Sequence, residues 1–205
     1  MKAASKNIGK KTKPAAPSTK LTRDDWLDAA FACVVEGGFD AVRVLTLAQS
    51  LGVTRGSFYW HFTDHAELVE ALLTRWRERE LDAQKKQHAD AMPDPKADLE
   101  RLLDAALAHA GEDLQNMRFE LALRGLGRRD AKVAKMLREI DLLRMRLFEG
   151  KFLRLTQDAQ AATELATLFY VAIIGSSQAL SRPSNPPRLK EYLRSIIGKH
   201  LIARQ

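Results

Sequence analysis

Sixteen residues, Leu47 to Phe62, constrain this chain more than any other stretch. Leu47, Ala48 and Leu51 stand at helical spacing, Gly52 punctuates, and Val53 and Thr54 lead into a second short helix. Glycine tolerates the left-handed turn conformation, and threonine is a good N-cap. Phe58 and Phe62, four apart, share one face of that second helix and point to a core. The other face carries Arg55, Gly56, Ser57, Tyr59, Trp60 and His61, where a purely structural helix would carry Ala, Glu and Lys. Two aromatic rings left outside are costly unless a partner covers them. A helix, a tight turn and a second helix presenting polar, glycine and aromatic groups is the pattern of a helix-turn-helix that docks in the major groove of DNA.

The flanks extend the pattern. Thr22 and Asp25 form a short capping box that opens a first helix, and Trp26, Ala29, Ala30, Cys33 and Val34 make its apolar stripe. Gly37 and Gly38 end it, and Phe39 folds back onto the stripe. A second helix, Val44 to Leu51, turns Val44, Leu47, Ala48 and Leu51 inward, the small Ala48 allowing a close crossing.

Charge points the same way. The chain has 205 residues and a formal net charge of +7. Lys2, Lys6, Lys10, Lys11, Lys13, Lys20 and Arg23 precede the first acid, Asp24, so the whole excess sits at the N-terminus. With Pro14 and Pro17 this segment reads as a disordered basic arm. It is either a solvated tail or a phosphate-tracking arm; beside a helix-turn-helix, DNA contact is the preferred reading.

Other classes find little support. One cysteine, Cys33, excludes an internal disulfide framework and a thiolate zinc cluster, and its place on the stripe reads as core. No Ser/His/Asp or Cys/His arrangement declares itself, and Gly125-Leu126-Gly127 is too little for a phosphate loop. His61 and His65 have the spacing of a helical metal pair, but Thr63-Asp64 between them reads as a helix boundary that separates the rings. His88, His109 and His200 are isolated and read as surface residues. No metal, cofactor or catalytic residue is expected. No uninterrupted apolar run approaches the roughly 20 residues that span a bilayer, and no apolar segment follows the basic N-terminus as in a secretory signal. The expected compartment is the cytoplasm, without a membrane partner.

Beyond Asp64 the chain reads as helix after helix. One runs from Asp64 toward Ala91 with Leu68, Leu72 and Trp76 on a face, broken by Pro93 and Pro95. Leu99 to Leu107, Met117 to Leu126, Val133 to Phe152 and Ala159 to Leu180 follow. The fourth of these has Leu165, Leu168, Phe169, Ala172 and Ile173 on a broad apolar face. Pro183, Pro186 and Pro187 precede a last helix, Leu189 to Ile202.

Gly38-Phe39, Leu47-Ala48, Leu51-Gly52-Val53, Gly56-Ser57-Phe58-Tyr59, His61-Phe62 and Glu67-Leu68, in one register, resemble the DNA-binding domain of the TetR/AcrR family of transcriptional regulators. The resemblance covers roughly Thr22 to Leu73. It implies an all-α fold with an N-terminal three-helix helix-turn-helix domain and a larger C-terminal helical ligand-binding and dimerisation domain. The corresponding division is a basic arm at 1–20, the DNA-binding domain at 21–67 and the effector-binding and dimerisation domain at 68–205. It implies a homodimer on double-stranded DNA with a roughly palindromic operator, released by a small-molecule effector, most often as a repressor. A non-specific DNA-organising protein using the basic arm is the alternative.

By the same resemblance, Thr54, Arg55, Gly56 and Ser57 sit at the groove-facing start of the recognition helix. Arg55 is the base reader, since a guanidinium pairs bidentately with guanine. Gly56 lets the backbone approach; Tyr59, Trp60 and His61 contact phosphates or thymine methyls. Two positions depart from the family pattern: His65 stands where a phosphate-binding lysine is usual, and Arg43 where a Thr or Ser usually caps the second helix. Arg43 is counted as a phosphate contact instead. The last two helices fit the family's four-helix dimer interface, with Gly175, Ser176 and Ser177 allowing close approach; a core helix of the monomer accounts for the same apolar residues. The run Arg118 to Arg124 resembles the sensor domain of one subset of the family, and its charges read otherwise as surface pairs. Met117, Leu121 and Phe169 are read as core rather than pocket.

Overall fold

A computed structural model describes residues 21–112, 114–180 and 188–203, with the backbone alone at 108–112. The basic arm, the three prolines before the last helix and the side chain of His109 lie outside what it describes. Within the described residues the protein is all-α. The helices are α1 (Arg23–Gly37), α2 (Val44–Ser50), α3 (Arg55–Phe58), α4 (His65–Ala89), α5 (Pro95–Glu112), α6 (Leu114–Gly127), α7 (Ala131–Thr156), α8 (Ala159–Leu180) and α9 (Leu189–Ile197). A 3₁₀ turn, Phe39–Ala41, joins α1 to α2, and α9 runs on as a π turn, Gly198–Ile202.

The ends form where the local chemistry directs. Thr22 caps α1 reciprocally with Asp25: the Asp25 N–H donates to Thr22 Oγ1 at 3.2 Å, and the Thr22 N–H donates to Asp25 Oδ2 at 2.6 Å. Those bonds hold the Asp25 carboxyl below its usual range. Gly38, at φ 74°, ends α1 and turns Phe39 back into the core. Asp64 caps α4 through the Glu67 N–H at 2.9 Å. Asp130 does the same for α7, accepting from Lys132 and Val133.

Two apolar clusters follow. The first joins Trp26, Ala30, Val34, Phe39, Leu47, Phe58, Phe62, Leu68 and Trp76 to Phe119, Leu123, Val133 and Ile140. The helix-turn-helix is thus packed directly against α6 and α7. Phe119 stacks on Phe31 at 4.9 Å and meets Phe39 edge-on at 5.6 Å. The second cluster gathers Leu99, Leu103, Phe148, Phe152, Phe169 and Ile202 from α5, α7, α8 and the C-terminal turn.

Three expectations need correction. Helix α8 is long and apolar enough, by length and composition, to cross a membrane. Counting uninterrupted apolar residues missed it, because its polar residues are nearly all uncharged. The core helix of a water-soluble fold passes the same test, and α8 buries Ala162, Ala166 and Phe169 beside α7. Leu168, placed with Phe169 on one face, points outward instead, as does Val171. Of the three small residues expected at a helix-helix contact, only Gly175 is exposed; Ser176 is buried and Ser177 bonds back to the Ile173 carbonyl.

Candidate nucleic-acid interface and helical cavity

The turn is built by backbone bonds. The Gly52 N–H donates to Gln49 O at 3.2 Å and the Val53 N–H to Ala48 O at 2.9 Å, with Gly52 at φ 68°. A non-glycine residue there would bring its Cβ toward the carbonyl and cost about 1–2 kcal/mol. Helix α3 is a single α-turn of four residues. Past Phe58 the chain continues in tighter bonds, Tyr59 to Gly56 O, Trp60 to Ser57 O and His61 to Phe58 O. The second short helix expected from spacing is therefore one α-turn prolonged by 3₁₀-like turns. A piece this short is unstable alone, so Phe58 and Phe62 hold it. Both are fully buried, and Phe58 meets Trp26 edge-on at 5.4 Å.

The predicted contact residues end up as follows. Thr54 occupies the N-cap position but its side chain makes no capping bond, so its hydroxyl stays available outside the helix. Thr54, Gly56, Ser57, Tyr59 and Trp60 line one shallow surface concavity. Trp60 is 87% exposed and Tyr59 51%. Arg55 is exposed and does not float free: Nη2 donates to the Tyr59 hydroxyl at 3.0 Å, and the guanidinium lies 5.9 Å from that ring's centroid. His61 is half-buried beside them.

Arg43 and His65 form a second group. Arg43 is exposed at the N-cap of α2 without a capping bond. Directly before it, the Val42 carbonyl meets His65 Nε2 at 2.8 Å. One ring nitrogen of His65 is thereby committed to the protein, which leaves Nδ1 for an outside partner. The start of α4 is further fixed by Glu67, which accepts from the Thr63 N–H at 2.7 Å and pairs with Arg23 at 3.0 Å. The Arg23 guanidinium in turn covers the Phe62 ring at 4.5 Å.

A different site lies among α4 to α8, a cavity of about 190 Å³. Glu80 and Gln84 of α4, Met117 and Glu120 of α6, Arg144 and Phe148 of α7 and Tyr170 of α8 are on its wall. Met117, read as core from sequence, is buried but faces this space; Phe169 is core, and Leu121 is half-buried and off the wall. The run Arg118 to Arg124 supplies more than surface pairs. Arg144 donates to Glu120 at 2.8 and 3.0 Å and to Glu80 at 2.5 Å. Arg124 donates to Glu120 at 2.7 Å and to Asp141 at 2.8 Å. Burial alone would raise the Glu120 carboxyl, but Arg144 and Arg124 outweigh it and bring it down to about 2. Burial, with Asp141 alongside, pushes the Tyr170 hydroxyl up to about 12. The meeting of Glu80, Arg144 and Tyr170 was missed in sequence because they come from three separate helices with no shared motif.

Residues 27–72 match the family described as "Bacterial regulatory proteins, tetR family". Over this segment the chain is similar to the DNA-binding region of the TetR family. The chain is 33% identical over 82 residues to the HTH-type transcriptional regulator TtgR of Pseudomonas putida, an alignment covering 40% of this chain and 39% of that one. It is 36% identical over 53 residues to the tetracycline repressor protein class D of Escherichia coli, covering 26% of this chain and 24% of that one. The chain thus spans well under half the length of these curated relatives in sequence. In fold the likeness extends over most of the chain: a transcriptional regulator from Rhodococcus sp. Rha1 superimposes with a TM-score of 0.71 at 17% identity, over 90% of this chain and 97% of that one.

Proposed function

We propose that this chain is a dimeric, ligand-responsive repressor of the TetR family that works in the cytoplasm, with residues 21–67 as its reading head and 68–205 as its effector and dimer domain. The observation that carries the proposal is the α3 surface, where Arg55 is held ready on Tyr59 beside the open backbone at Gly56. Arg55 reads a base edge; Thr54 and Ser57 add short polar contacts; Tyr59, Trp60 and His61 rest on the backbone or on thymine methyls. Arg43 takes a phosphate at the start of α2, and His65 takes one at the start of α4 through the Nδ1–H of its protonated ring, since Nε2 already donates to the Val42 carbonyl. Two such heads on one dimer meet successive major grooves about 34–36 Å apart.

Release follows from connectivity. Helix α4 begins with His65 at the DNA surface and reaches the cavity at Glu80, about 22 Å further along its axis. Helix α6 puts Phe119 into the core under the reading head and Glu120, the next residue, at the cavity. A ligand that favours one placement of these helices shifts the population of head spacings, and its affinity is coupled reciprocally to that of DNA.

The test is binding to the DNA upstream of the chain's own coding region. Arg55→Ala is expected to cost about 1–3 kcal/mol at the specific site and to relax base preference, with little change on random DNA. Equal loss on both sinks the reading role. Deleting residues before Lys20 should weaken both alike while preserving sequence preference; loss of preference would favour a DNA-organising protein that binds through its arm.

A further inference from the structure

The cavity among α4 to α8 has an uneven charge balance. Its network contains three carboxylates, Glu80, Glu120 and Asp141, against two guanidiniums, Arg124 and Arg144. Both terminal nitrogens of Arg144 are already spent on Glu120 and Glu80, and those of Arg124 on Glu120 and Asp141. An anion entering the cavity would find no free guanidinium and would have to displace a carboxylate. Glu80 is the least compensated acid on the wall, since its ion pair to Arg144 uses one of its two oxygens.

Two further features complete a recognition surface. Phe148 and Tyr170 stand 6.4 Å apart with their rings tilted at 46°, both on the wall. Ring faces attract a desolvated cation, and a neighbouring carboxylate adds to that attraction. One turn along α4 from Glu80, Gln84 Nε2 is buried without a hydrogen-bond acceptor. A donor left in that condition destabilises the empty site, and a ligand oxygen would relieve it. Leu102, Met117 and Ile173 make the remaining wall apolar.

We propose that the cavity selects a small organic cation: an ammonium seated between Glu80 and the rings of Phe148 and Tyr170, an apolar body against Met117 and Ile173, and an oxygen acceptor facing Gln84. The proposal rests on reading this cavity as the effector site. The space, about 190 Å³, exceeds the roughly 150 Å³ that accommodates a benzene ring in a dry cavity, so a single ring with a short side arm is the right scale.

Three probes of one shape separate the possibilities: 2-phenoxyethylamine, which is cationic, 2-phenoxyethanol, which is neutral, and phenoxyacetate, which is anionic. Binding to the full chain is measured by calorimetry and by the rise in unfolding temperature, without DNA. The amine is expected to bind at least about tenfold more tightly than the alcohol, with phenoxyacetate weakest. Glu80→Gln should remove the preference for the amine and leave the alcohol's affinity unchanged, while Gln84→Met should weaken amine and alcohol by similar factors. The unliganded unfolding temperatures of both variants check that each still folds. Equal or tighter binding of the alcohol or the acid, no binding of the amine, or an amine preference that survives Glu80→Gln overturns the proposal. DNA release is scored separately. An amine that binds without weakening DNA binding refutes the effector reading alone; a neutral or acidic probe that binds better and releases DNA refutes the cation alone.

Discussion

Gly56 sits inside a helix where glycine has no structural task. Its backbone is in the ordinary region, and a Cβ built on it meets only Thr54 Oγ1, at 3.7 Å. Gly52 contrasts with it, having a positive φ that a side chain tolerates poorly. Glycine in a helix interior weakens it by roughly 0.5–1 kcal/mol relative to alanine. Gly56→Ala is therefore expected to raise thermal stability slightly. If the backbone at 56 is where DNA approaches closely, the same substitution should weaken operator binding, on the order of tenfold, through steric contact with the groove. Parallel melting and DNA-titration measurements decide it. A variant that is more stable and binds DNA as well as the parent would show that Gly56 is not a contact position. Local rules fail in this way mainly at functional sites.

The cavity network ties elements rather than residues, joining α4 through Glu80, α6 through Glu120 and Arg124, and α7 through Asp141 and Arg144. Glu120 is its centre, accepting from two guanidiniums with only 19% of its side chain exposed. Breaking such a pair strands the partner charges, so Glu120→Gln should cost about 3 kcal/mol at neutral pH. The pH dependence has a definite sign. The folded-state carboxyl is depressed to about 2 from the ordinary glutamate value of 4.5, so its contribution is complete above 4.5 and fades as pH falls toward 2. The gap between parent and variant in urea denaturation should accordingly be constant from pH 7 to 5 and close below that. A gap that stays open at pH 3 would place the cost elsewhere. The elements themselves were largely legible: caps at Thr22 and Asp64, the Gly38 and Gly52 turns, and the span of α8 all follow from short-range chemistry. This network was not, because Glu80, Glu120 and Arg144 meet only through tertiary packing, and their surroundings in sequence resemble any charged helix surface. The shortness of α3 was hidden for the converse reason. Phe58 and Phe62 satisfy helical spacing, while the core they enter accepts a tighter turn between them.

At the scale of the whole molecule, the outer faces of α8 and α9 remain to be explained. Leu168 and Val171 on α8 are 56% and 61% exposed, and Tyr192 and Ile196 on α9 are 63% and 38% exposed. Three and four residues apart, they form apolar stripes turned away from the core; α5 holds α9 through the Arg194–Asp104 ion pair. Apolar stripes of this extent on neighbouring helices suit a second copy of the chain, as the proposed dimer requires. A charge placed on the stripe tests the idea without touching the core. Val171→Arg should change the stability of the protomer by no more than about 0.5 kcal/mol, since the position is exposed. It should convert a dimer to a monomer in sedimentation. Two joined reading heads bind a palindrome with a high effective local concentration, so the monomer should lose more than about tenfold on the full operator. Its affinity for a single half-site should be unchanged, because α3 lies far from α8 in the fold. A dimer that survives Val171→Arg with full operator affinity would move the interface to another surface. A monomer that keeps full operator affinity would show that the two heads do not act as one unit on DNA.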